Sequence, residues 1–261
     1  MKHLSIFILI VFSSLNSSKI SAQISDNPID VLTQKLLQNE LLSNRFIRNF
    51  VFIKTNTFKK KAMADMDKSL AKFDDNLSYI ILHLPYDKKA KEDFLKLQNL
   101  WSIYRLDVTD YNKEHYKKLI LKTRKLEKYI NALNKDVLVK HSAYGRNKKN
   151  ISLAELAVEN GKDIDKIAAA YVLQNGLNFP DAFNYFEINS GDFNKNLKKI
   201  GKFKKLAGKT HDLILDLKTN LASILTLKDK GKYNPKMMYA YVNSYSKKTF
   251  KLLDIIIKTI N

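Results

Sequence analysis

Residues 73–80 read FDDNLSYI, and residues 193–200 read FNKNLKKI. The shared phrase F-x-x-N-L-x-x-I puts its apolar residues at i, i+4 and i+7, which is one face of a helix with 3.6 residues per turn. Phe73, Leu77, Ile80, Ile81 and Leu84 make one stripe, and Phe193, Leu197 and Ile200 make its counterpart. The likeness extends upstream. Asn39-x10-Phe50-Val51-Phe52 parallels Asn160-x10-Tyr171-Val172-Leu173 at an offset of 121. In both halves 22 or 23 residues then lead from that aromatic to the repeated phenylalanine. A long helix, a break and a second helix recur in order, which points to a duplicated unit. The alternative is chance recurrence in a chain rich in leucine, lysine and asparagine.

Working outward, breakers divide the chain. Glycine and proline number only seven and four, too few for the turns of a β-rich protein of this size. Between Asn27-Pro28, Leu84-Pro85, Tyr144-Gly145, Phe179-Pro180, Ser190-Gly191, Gly208, Gly231 and Asn234-Pro235 the apolar residues keep the helical period. The pattern predicts an all-α chain with about eight helices: 28–55, 60–83, 87–108, 112–140, 151–175, 180–200, 203–229 and 235–260. Ser152 with Glu155 reads as a capping box at the fifth start. Pro180 and Pro235 stand where a first helical turn tolerates proline. HSAYGRNKKN, residues 141–150, is polar and basic and is the expected linker. The expected architecture is two tandem antiparallel four-helix bundles, 23–140 and 151–261, joined by 141–150.

The N-terminal stretch MKHLSIFILIVFSSLNSSKISAQ has a basic start at Lys2, an apolar run from Ile6 to Phe12, and Ala22 before Gln23. It reads as a secretory signal peptide, residues 1–22, with an uncleaved anchor as the alternative. The apolar run is shorter than the roughly 20 residues a membrane span needs, and no later stretch is long enough. The expectation is a periplasmic or secreted protein with no span after cleavage. Absence of cysteine excludes disulfides, thiolate metal sites and a cysteine nucleophile. The net charge is +20, yet only five of 46 basic residues are arginine, the better bidentate phosphate reader. That balance favours a solvated lysine surface over nucleic-acid binding. A lysine-rich polyanion-binding or surface-structural protein stays as the alternative function.

The stretch Asn39-Glu40-Leu41-Leu42-Ser43-Asn44-Arg45-Phe46-Ile47-Arg48-Asn49-Phe50 resembles a phrase of the form Q-R-M-L-S-Q-R-I-A-K-x-Y. That phrase belongs to the N-terminal sensor domain of type IV pilus methyl-accepting chemotaxis transducers (PilJ-type). The domain is similar to the periplasmic four-helix sensor of nitrate/nitrite histidine kinases. Leu42, Ser43 and Arg45 match outright; Asn39, Leu41, Asn44, Arg48 and Phe50 are similar in kind. Phe73-x3-Leu77 resembles the family's F-x3-L, and Trp101, Tyr104 and Arg105 resemble its W-x2-Y-R. In the second half Asn160, Lys166-Ile167-Ala168, Tyr171, Phe193 and Leu197 keep parts of the same elements. The resemblance implies a sensor-like four-helix fold. In the nitrate-sensing relatives the first arginine of the phrase holds the anion at a subunit interface. Here that position is Glu40, with Gly161 in the second half. A carboxylate repels nitrate where a guanidinium grips it with paired donors, which argues against nitrate recognition by that route.

On a helical wheel Leu36, Glu40, Ser43, Ile47 and Phe50 share one narrow sector. Leu41, Leu42, Phe46, Phe52 and Ile53 cover the other sides, as in a helix buried all round. Glu40, Ser43, Asn44, Arg45 and Arg48 are the candidate ligand-binding residues. The competing reading is a buried pair, Glu40 with an arginine or lysine, that fixes helix register. The fifth helix reads as an ordinary amphipathic one, with Leu153, Ala157, Asn160, Ile164, Ile167 and Tyr171 inward and Glu159, Lys162 and Lys166 outward. Trp101 and Tyr104 read as core anchors.

No H-E-x-x-H, E-x-x-H, glycine-rich phosphate loop or G-x-S-x-G elbow occurs. No catalytic, metal or cofactor site is expected. The expected function is an exported, non-catalytic, sensor-like binding protein that takes a small ligand or an envelope protein, either as an intrachain pseudo-dimer or as a homodimer.

Overall fold

The computed structural model describes residues 28–84, 87–112, 115–142, 148–186, 188, 191–229 and 232–259. The expected signal peptide and the middle of the expected linker lie outside these. The described residues are predominantly helical, with no strand among them. In chain order the elements are α1 (Pro28–Lys54), α2 (Lys59–His83), α3 (Lys88–Thr109), α4 (Tyr116–Ser142), α5 (Lys148–Gly176), a single 3-10 turn (Ala182–Tyr185), α6 (Phe193–Gly201), α7 (Ala207–Asp229) and α8 (Pro235–Thr259).

The breakers act as polar punctuation should. Asp87 caps α3 by accepting a hydrogen bond from the Lys89 amide at 2.8 Å. Asn234 accepts from the Met237 amide at 3.1 Å, and Pro235 fills the first position of α8. Two expectations are corrected. Ser152 and Glu155 do not cap α5, because the helix already runs from Lys148; with no glycine or proline between Gly145 and Gly161, nothing stops it earlier. The predicted helix 180–200 is broken into the 3-10 turn and the nine-residue α6. Phe186 is extended and Asp192 stands at the start of α6, so the helical pattern does not run on from one to the other. The repeated phrase therefore sits in the C-terminal half of α2 but opens α6.

Packing follows the same order in both halves. α1 lies against α2 and α4, and α3 against α4 and, more lightly, α2; α5 lies against α6 and α8, and α7 against α8 and α6. Neighbours run antiparallel: Asn39 meets Asn76 while Phe46 meets Phe73, and Asp216 meets Lys248 while Asn220 meets Ser244. The phrase that recurs in the sequence recurs in space. Asn76 donates to Asn39 Oδ1 at 2.8 Å, and Asn196 donates to Asn160 Oδ1 at 3.0 Å. Each bond pins a second helix to a first helix beside a buried phenylalanine and isoleucine.

The halves meet chiefly through α1 and α5, with α8 also touching α1. Gly161 lies beside Leu41, and Gly176 beside Thr55, so the two helices advance together and are parallel. α1 is buried on nearly every side, as its sequence requires. The reading of α5 as an ordinary amphipathic helix is corrected: Lys162, Asp163 and Asp165 are all buried. A helix pressed by α1 on one side and by α6 and α8 on others has little solvent face left. The apolar interior is continuous from one half to the other. In the first half it is built on Phe46, Phe73, Trp101 and Tyr104, with Phe73 and Trp101 stacked at 4.0 Å. Trp101 Nε1 donates to Asp74 at 2.8 Å, and Tyr104 shares a hydrogen bond with Thr123 at 2.8 Å. Both are buried anchors.

Candidate functional site

The five candidates of α1 all lie in or beside the α1–α5 seam, but in two separate clusters. Glu40 is buried and meets Lys162 Nζ at 2.7 Å. Asn131 of α4, with its amide nitrogen turned to the carboxylate, donates to Glu40 Oε2 at 2.9 Å and Oε1 at 3.3 Å. Lys162 also reaches Glu159 at 2.9 Å and Glu127 at 3.8 Å. Ser43 donates to the Glu40 carbonyl at 2.7 Å and to Glu127 at 3.3 Å, and Asn44 donates to Glu127. Glu40, Ser43 and Asn44 are thus joined through α4 and α5.

This cluster holds three carboxylates around one ammonium. Burial raises the Glu40 pKa, and Glu159 and Glu127 add to the rise against the pull of Lys162. Burial alone would lower the Lys162 pKa, but Glu40, Glu127 and Glu159 together outweigh it and hold the ammonium above its ordinary value. The two directions agree, since the neighbouring carboxylates favour the proton on both Glu40 and Lys162. Lys162 is therefore charged through the neutral range.

Arg45 and Arg48 belong to the second cluster, around the buried Asp165. Arg48 meets Asp165 Oδ1 at 2.7 Å and donates to Ser246 at 3.3 Å and to Asn49 Oδ1 from two nitrogens. Arg45 Nε lies 3.8 Å from Asp165 Oδ2, and its guanidinium covers the Phe250 ring at 4.7 Å. The structure therefore supplies the buried-pair geometry foreseen for Glu40, with Lys162 as partner.

A cleft of about 760 Å³ opens above the first cluster. Its walls carry Glu40 from α1, Glu155 and Glu159 from α5, Lys135 from α4, and Lys199 and Lys202 at the end of α6. Leu153 and Leu156 supply apolar surface between the charges. Burial, with Glu159 next, raises the Glu155 pKa against Lys135. The volume falls in the range of small-ligand sites, roughly 300–1,000 Å³.

The sequence reading missed Lys162, Asp165, Glu127 and Asn131. A signal for two of them was present. At the repeat offset of 121, Lys162 aligns with Leu41 and Asp165 with Asn44; because α1 and α5 pack in parallel at that register, the cation falls near Glu40 and the anion near Arg45 and Arg48. Among the described residues no group of three or more His, Cys, Asp or Glu could hold a metal ion, and no helix is long and apolar enough to cross a membrane. Compared with protein-family models, curated proteins and solved structures, the chain has no match.

Proposed function

We propose that this chain is an exported, non-catalytic, sensor-like binding protein built from two four-helix units, 23–140 and 151–261, that takes a small ligand or an envelope partner at the seam between them. The observation that carries the reading is the cleft that reaches buried Glu40 at the meeting of α1, α4, α5 and α6. Carboxylates come from α1 and α5, ammonium groups from α4 and the α6 end, and leucines lie between. That arrangement suits a small molecule with an amine and an acid joined by an apolar body. The resemblance of the 39–50 phrase to PilJ-type sensors supports the same class. Because Glu40 stands where those relatives carry arginine, the proposed ligand is not nitrate.

A thermal-shift panel of amino acids, short peptides and polyamines on the chain from residue 23 tests this. A ligand at a hundred times its Kd adds about 2.7 kcal/mol of stability. Leu156→Trp, which fills the cleft from a half-buried position, abolishes the shift and leaves the unliganded transition in place. No shift from any small molecule, together with no partner captured from envelope extract, would sink the reading.

A second reading has its own observation. Lys195, Lys198, Lys199, Lys202, Lys204, Lys205 and Lys209 are all exposed around the α6–α7 corner. A polyanion binding there loses affinity steeply between 50 and 200 mM salt as counterions are released. A ligand held in the cleft is far less sensitive.

A further inference from the structure

We propose a second binding site, for a doubly charged tetrahedral oxyanion such as phosphate, in the cleft between α1, α2 and α8 whose wall includes Arg45. The cleft holds about 290 Å³ and lies on the opposite side of α1 from the Glu40 carboxylates. Four cations line it: Arg45 of α1, Lys68 and Lys72 of α2, and Lys247 of α8. Asp65 is the one carboxylate among its lining residues, and it accepts the Tyr239 hydroxyl. Four cations less one carboxylate leave three positive charges on the walls.

Arg45 anchors the site. Its Nε is buried without a hydrogen-bond acceptor among the described residues. Asp165, the nearest carboxylate, already serves Arg48 at 2.7 Å and Ser246 at 3.2 Å, and stands 3.8 Å from Arg45. One carboxylate between two guanidinium groups leaves a cationic surplus. Phe250 covers the Arg45 guanidinium at 4.7 Å, and a guanidinium carries the rigid fork of donors that suits an oxyanion. Lys72 adds to the surplus. It also faces Lys35, whose pKa is held low by burial and by Lys72 itself, against Asp75 and Asp254. Cations from three helices surround the cleft, and Asn243 adds an amide. A dianion with oxygens directed several ways meets more of them than a planar monoanion does. The volume accommodates a tetrahedral oxyanion with a small organic remainder.

The probe is inorganic phosphate titrated calorimetrically into the chain from residue 23, with chloride holding ionic strength constant. Saturable one-site binding and a matching rise in Tm are expected. Arg45→Ala risks the fold through the neighbouring Asp165. The decisive variant is therefore Lys68→Met/Lys247→Met, two exposed rim positions. It should weaken phosphate binding at least about tenfold, because hydrogen bonds to charged groups are being removed. Lys204→Met/Lys205→Met, at the α6–α7 corner, should leave it unchanged. Vesicles of phosphatidylcholine with phosphatidic acid separate a lipid headgroup from a free oxyanion. Equal stabilisation by chloride and phosphate overturns the site. So does full affinity in the rim variant, or binding to the vesicles with none to free phosphate.

Discussion

Lys162 of α5 gives its ammonium to Glu40 of α1 at 2.7 Å, and each side chain is only 4 % exposed. Removing one partner leaves the other buried and uncompensated. Lys162→Met should cost about 3–5 kcal/mol in urea unfolding, since Glu40, Glu127 and Glu159 lose their shared cation. The double variant Glu40→Leu/Lys162→Met should recover part of that loss. Additive losses would show that the pair is not coupled.

The same cluster sets a pH dependence with a definite sign. Glu40 has a raised folded pKa, so the native state binds more protons than the unfolded one just above the ordinary glutamate value of 4.5. Its contribution is complete below that value and is lost as pH rises through the folded pKa. Relative to Glu40→Gln, the wild type should lose stability on going up through that window. Lys162 is also raised, so its contribution is complete below 10.5 and falls only at more alkaline pH. Chemical denaturation of the wild type, Glu40→Gln and Lys162→Met from pH 4 upward checks the two signs.

At Gly161 α5 packs tightly against α1. A Cβ there would lie 2.5 Å from Leu41 Cδ2 and 2.9 Å from Thr249 Cγ2. Gly161→Ala should therefore destabilise by about 1–3 kcal/mol, despite the better helix propensity of alanine. Leu41 is buried, so moving its methyl disturbs packed neighbours. Combined with Leu41→Ala, the loss should be smaller than the sum of the two single losses, because the clashing methyl is gone.

The paired asparagines test the duplication. Asn76→Ala and Asn196→Ala should each cost about 1–3 kcal/mol by leaving Asn39 or Asn160 with an unmet buried group. Replacing both members, as in Asn39→Leu/Asn76→Leu, should cost less than either single change. Similar values in the two halves support common descent. Very different values argue for chance recurrence.

Trp101, the sole tryptophan, sits in the interior of the first half. Because that interior continues into the second half through α1 and α5, its fluorescence and the helical circular dichroism should report one coincident unfolding transition. Asn196→Ala, far from Trp101 in sequence, should move both signals together. Separate transitions would show two independently folding halves.

The sequence by itself determined the helices and most of their limits. Period 3.6, scarce glycine and a few well-placed prolines leave little else for these segments to do, and the recurring asparagine of F-x-x-N-L-x-x-I already marked the position that bonds α2 to α1 and α6 to α5. It also showed that α1 is apolar on all sides and that Glu40 must find a partner. It misjudged 180–200, where a local break competes with a helical pattern that looks continuous. Which residue faces Glu40 was settled only by the tertiary structure. A helical wheel describes one helix alone, and Lys162 points to solvent or to a carboxylate according to where a helix 122 positions earlier is laid against it. Burial on the far side, close approach at Gly161 and the division of Asp165 between two arginines all arise from that contact, because charge pairing depends on distances that no local pattern encodes.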